Sequence, residues 1–118
     1  MIACHDYNGP MDIRDLTQAM HEFVEAKGWY RPESIHPQTP RNLAISLSLE
    51  ANEVLEHFQW RETVEDKQEL ASELADVALY LIQLAHINQI DLEQAVLDKL
   101  RVNYGRNWVA PGRKEDAA

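Results

Sequence analysis

The sequence predicts an all-α fold on three observations: apolar residues recur at three- and four-residue spacing in four segments, three of these open on helix-start signals, and strand signals are weak. No stretch alternates apolar and polar residues for long, and no Asn-Gly or Asp-Gly hairpin joins two such stretches. In chain order, the first ten residues read as an arm closed by Gly9-Pro10. Ile13, Leu16, Met20, Phe23 and Val24 then form the stripe of a first helix, stopped by Gly28. From Trp29 to Thr39 the chain carries Pro32, Ser34 and Pro37 without periodicity, a loop long enough to be functional. Thr39 can cap free backbone N–H groups and Pro40 fits the first helical position, so a second helix is expected from about Pro40 to Trp60. Thr63 and Asp66 resemble a capping box opening a third helix, whose apolar residues run from Leu70 through Ile87. Asp91 with Gln94 repeats the signal for a fourth helix to about Arg106, and the tail from Pro111 is expected to fray.

The chain has 118 residues, of which 45% are apolar, and a net charge of −9. That length implies one domain, with a radius of gyration of about 13–14 Å if compact. The composition argues against disorder, and no apolar run approaches the roughly 18–20 residues of a membrane span. Met1 opens onto His5, Asp6 and Asn8 instead of a secretory signal. Cys4 has no second cysteine to pair with, which fits a reducing compartment and a cytoplasmic location. The acidic balance disfavours binding to a nucleic-acid polymer and suits divalent cations.

On a wheel of the second helix starting at Leu43, Leu47, Val54 and Phe58 lie within about 60° of the origin, and Ile45, Leu49 and Trp60 near 200–260°. Between these arcs, at about 280–340°, lie Ser46, Glu50, Glu53 and His57. The third helix repeats the pattern: Leu74, Val77, Leu81 and Leu84 cluster around Leu70, with Glu73, Asp76 and Tyr80 at about 240–300°. Each helix thus sets two carboxylates three residues apart beside its burying face. Antiparallel packing would bring four of them together, an arrangement that like-charge repulsion and desolvation disfavour unless a cation joins it. Oxygen ligands suit Mg²⁺ or Mn²⁺. The competing reading is an ordinary solvated acidic face, paired with Arg61, Lys67 or Lys99.

Leu49-Glu50-Ala51-Asn52-Glu53, Phe58-Gln59-Trp60, Glu73-Leu74-Ala75-Asp76 with Tyr80, and Lys99 with Asn103 resemble the MazG-like all-α nucleotide pyrophosphohydrolases, and most of all their small dCTP pyrophosphatase branch. The resemblance spans about Ile13 to Arg106. It implies a four-helix bundle assembled as a homodimer or dimer of dimers, which hydrolyses a nucleoside triphosphate between the α and β phosphates with Mg²⁺. By position, Glu50, Glu53, Glu73 and Asp76 match the metal ligands, with Glu53 or Glu50 the base. Lys99 and Asn103 match phosphate and sugar contacts, with Arg106 a further cation for the phosphates. Tyr80 matches a ring near the deoxyribose and Trp60 a base-pocket aromatic; Trp29 and His36 stand where the dCTP branch has a Trp and a His. Two departures are visible: Leu49 replaces the first Glu of a doublet, and Arg106-Asn107-Trp108 replaces Arg-Tyr-Pro, with Trp108 a substitute aromatic.

Leu55, Leu79 and Ile82 fall outside the main stripes, so burial by a second copy is expected, with pockets that borrow aromatics across the interface. dCTP or a related pyrimidine deoxynucleotide is the expected substrate. A dUTP, dITP or phosphoribosyl-ATP pyrophosphohydrolase stays open, as does a non-enzymatic helical dimerisation module.

Overall fold

Four helices form where capping groups and apolar periodicity coincide: α1 (Ile13–Ala26), α2 (Pro40–Glu56), α3 (Lys67–Ile87) and α4 (Leu92–Gly105). This computed structural model describes residue 7 and residues 9–106, among which there is no strand. Cys4 and most of the arm, Asn107, Trp108 and the tail from Pro111 lie outside the described residues.

Local chemistry sets the boundaries. Asp12 and Asp15 form a reciprocal capping box at the start of α1, a signal the sequence reading passed over. Gly28, at φ +71°, takes the left-handed position just beyond α1, where a side chain would be strained. Thr39 caps α2 by accepting from the Asn42 N–H at 3.1 Å, with Pro40 in the first turn as expected. The same helix ends at Glu56, four residues short of Trp60. His57 and Phe58 there donate to the Val54 and Leu55 carbonyls, the three-residue bonds that tighten a final turn. The cap of α3 is Asp66, not Thr63: the Asp66 carboxylate accepts from the Glu69 N–H at 3.0 Å, so the helix opens three residues later than expected. Asp91 caps α4 through the Gln94 N–H, as expected.

α3 is the central element, packed against α1, α2 and α4. Contrary to the sequence expectation, it is long and apolar enough to cross a membrane by length and composition alone, although its apolar stretch includes Glu73 and Asp76. Its flank at Ile82, expected to need an outside partner, is covered by Met20 and Val24 of α1. Leu74 and Leu81, expected at the heart of its burying face, are about half exposed. The wheel found both arcs but not which one α1 would claim. Packing is open: the radius of gyration is 17.7 Å, above the expectation for a compact chain. Ile45, Leu49 and Leu55 on α2, and Val96, Leu97, Leu100 and Val102 on α4, also remain exposed.

Candidate functional site

The seam between α2 and α3 gathers the acidic pairs. The Glu50 carboxyl is pushed above its ordinary range, first by burial, then by the hydrogen bond its protonated form donates to Glu53 and by the charge of Glu53, then by Asp76 and Glu73. Its Oε2 is shut off from solvent and has no hydrogen-bond partner. Every residue acting on this group is a carboxylic acid. A shielded carboxylate oxygen facing three further carboxyls is the donor set a hard divalent cation takes, so these residues fit such an ion.

Two residues that sequence reasoning did not count among the ligands extend this seam, although His57 already lies on the arc of Glu50 and Glu53. His57, just beyond α2, places Nε2 against Oε2 of Glu73, and the two side chains are only 13% and 18% exposed. A Glu69 oxygen joins them, the three ligand atoms lying within 4.8 Å of one another, so the group could hold a metal ion. The signal was available: His57 is one turn beyond Glu53, and Glu69 is one turn before Glu73 on the facing helix.

Next to the seam is a cavity of about 410 Å³ bounded by Trp29, His36, Asn42, Leu43, Ser46 and Tyr80, together with Ile35, Pro37 and Gln38 of the loop. A second cavity of about 270 Å³ shares Trp29 and Tyr80 and reaches Asp76, linking the aromatic walls to the acidic seam. The loop that supplies Trp29 and His36 is held by short-range bonds. Trp29 stands edge-on to Phe23, ring centroids 5.6 Å apart, and 5.8 Å from His36. Gln38 donates to the His36 carbonyl and accepts from Gln83 of α3. Asn42 donates to the Pro37 carbonyl at 3.0 Å.

Not every candidate joins this group. Trp60 is 86% exposed and does not line either cavity, because α2 stops before it and the chain leaves the helical stripe. Lys99, Asn103 and Arg106 belong to α4 and its cap; α4 packs on α1 and α3 without meeting α2, and none of the three lines these cavities. Lys99 is exposed, while Asn103 and Arg106 are half-buried.

Known proteins resemble this chain in sequence and in fold. The chain is similar to dCTP pyrophosphatase 1 of Mus musculus and of Homo sapiens, 34% identical to each over 103 residues, which is 80% of this chain. It spans 58% of the length of those relatives. A crystal structure of a pyrophosphatase from Archaeoglobus fulgidus superposes with a TM-score of 0.65 at 31% identity, covering 84% of this chain and 94% of the other. The MazG-like family model matches residues 45–115, a stretch that takes in all four acidic residues of the seam and most of α2, α3 and α4. On that match over more than half its length, the chain belongs to the MazG-like family.

Proposed function

We propose that this protein is a Mg²⁺-dependent nucleotide pyrophosphohydrolase that converts a nucleoside triphosphate, dCTP or a related pyrimidine deoxynucleotide, to the monophosphate and pyrophosphate. The observation that carries the reading is the convergence of Glu50, Glu53, Glu73 and Asp76 beside a cavity walled by Trp29, His36 and Tyr80. The names of the relatives supply the activity class; the aromatic cavity supports a flat base.

Glu50, Glu53, Glu73 and Asp76 would hold Mg²⁺, whose charge offsets theirs and that of the phosphates. Glu53, the exposed member of its pair, would accept a proton from the attacking water, with Glu50 the nearest substitute. Trp29, Tyr80 and Asp76 line the same cavity, so a base held by the two rings would leave its phosphates near the acidic seam. Lys99, Asn103 and Arg106 would neutralise and orient phosphate from α4, and Trp60 would complete a base pocket, each from a second copy of the chain. The many half-exposed apolar side chains of α2 and α4 favour such a homodimer or homotetramer.

A panel of common and deaminated nucleoside triphosphates, assayed separately for pyrophosphate and orthophosphate, tests the reaction. Pyrophosphate released fastest from a pyrimidine deoxynucleotide is the expected result; orthophosphate, or no turnover with Mg²⁺, defeats it.

A further inference from the structure

The acidic seam extends one helical turn past the residues assigned to Mg²⁺. Along α2 the seam positions are Glu50, Glu53 and then His57; along the antiparallel α3 they are Asp76, Glu73 and then Glu69. A helix rises about 5.4 Å per turn, so equivalent steps on two antiparallel helices stay in register over this distance. Glu73 therefore takes part in both groups: its charge acts on Glu50, and its Oε2 meets the His57 imidazole. Glu69 completes the second group, with all three ligand atoms inside 4.8 Å.

The geometry points to a second divalent-cation site, formed by His57 Nε2 and the carboxylates of Glu69 and Glu73, that prefers a first-row transition ion such as Mn²⁺ to Mg²⁺. The donor chemistry sets the preference. An imidazole nitrogen with two carboxylates suits Mn²⁺, Co²⁺ or Zn²⁺, whereas Mg²⁺ favours oxygen donors and gives up its waters reluctantly. Three protein ligands also leave positions open to water or to a phosphate oxygen. Enclosure adds to the case, since His57 and Glu73 are both largely shielded from solvent. Glu69 closes the group from the exposed first turn of α3, the side from which an ion would enter. In this arrangement Glu73 bridges two cations, as a shared carboxylate does in two-metal phosphoryl-transfer sites.

The site makes no demand on the nucleotide reaction, so it is tested by metal binding to the full chain with no nucleotide present. Mn²⁺ alone is titrated, free ion is measured by electron paramagnetic resonance, and bound ion is examined for spin-echo modulation from a coordinated ¹⁴N nucleus. The expected result is a ¹⁴N-coupled Mn²⁺ in the wild type that persists in Glu53→Gln, is lost in His57→Ala, and binds at least tenfold more weakly in Glu69→Gln. Glu69 is exposed, so Glu69→Gln leaves the fold intact and carries the test even if His57→Ala does not fold. Absence of ¹⁴N coupling in the wild type overturns the site and leaves His57 as an ion-pair partner of Glu73. Coupling that survives His57→Ala, or Mn²⁺ affinity unchanged in Glu69→Gln, overturns the assigned ligands. Coupling that disappears in Glu53→Gln overturns the separation of this site from the four-carboxylate group.

Discussion

Two acidic regions of this molecule are built from the same side chains and behave in opposite ways. Where α1 meets the start of α4, Arg14 bridges Asp91, at 2.9 Å, and Glu93, whose carboxylate also accepts from the Ile13 N–H. There the Asp91 carboxyl is held below its ordinary range, first by the Gln94 backbone N–H and then by the Arg14 side chain. In the α2–α3 seam Glu50 is pushed upward, because burial and three other carboxyls act on it together. One end of the bundle carries its own cation, and the other is arranged to receive one. An arginine held between two carboxylates in this way braces a fold, whereas the crowding of carboxyls around Glu50 is where a bound metal has most to offer.

Removing the proposed base or a proposed ligand breaks the contrast most severely. Glu53→Gln and Asp76→Asn should each lower pyrophosphate release by at least about a thousandfold while leaving the elution volume on size exclusion unchanged. Turnover retained by either variant removes that residue from the site. Trp29→Ala comes next. If the ring stacks on the base, its loss costs about 1–3 kcal/mol, a rise in nucleotide KM of roughly 5- to 150-fold with kcat little changed. Steady-state kinetics separates this from a folding defect, which would lower the active fraction and not KM.

The third variant sharpens the comparison through pH. A carboxyl whose folded pKa is raised contributes stability that is fully present below its unfolded value, near 4.5, and is lost as pH rises through the folded value. Metal-free wild type should therefore lose melting temperature as pH rises above about 4.5 relative to Glu50→Gln, which has no carboxylate to ionise there. Mg²⁺ at 100 times its Kd should return about 2.7 kcal/mol to the wild type and little to the variant. Parallel melting curves for the two proteins across that range would contradict the crowding of Glu50.

The smallest effect is expected at the self-neutralised end. Arg14→Ala should lower the melting temperature slightly at neutral pH, since the guanidinium and its Asp91 partner are exposed. The Asp91 shift has the opposite sign to that of Glu50. Its contribution is present above the unfolded value near 3.8 and is lost as pH falls through the folded value, so wild type and Arg14→Ala should converge in strong acid. Divergence at low pH would show that Arg14 acts otherwise.

What the sequence disclosed depended on how local the cause was. Thr39-Pro40 and Asp91 act on backbone groups within three residues, and both helix starts fall where those residues place them. Glu50 and Glu53, with Glu73 and Asp76, were legible because helical spacing puts each pair on one arc and antiparallel packing makes the arcs meet. The length of α2 was not legible, since nothing in Phe58-Gln59-Trp60 breaks a helix and the stop lies in the tightened turn at His57. Nor was the choice between the two apolar arcs of α3, which depends on where α1 docks, a contact from far along the chain. Along its own helix His57 reads as any lone histidine; what distinguishes it is Glu73, a residue on another helix.

The clasp between Gln38 and Gln83 bears on how the cavity meets a visitor. Both ends of the Gln38 amide are engaged, the nitrogen with His36 and the oxygen with Gln83, so the loop is fastened to the helix that carries Tyr80 and Asp76. A wall fastened during folding arrives pre-shaped, and little conformational freedom is left to freeze when a guest enters. The polar atoms still available on that wall belong to neighbours such as the side-chain Oδ1 of Asn42 and the Ser46 hydroxyl, so discrimination among guests passes from the clasp to them.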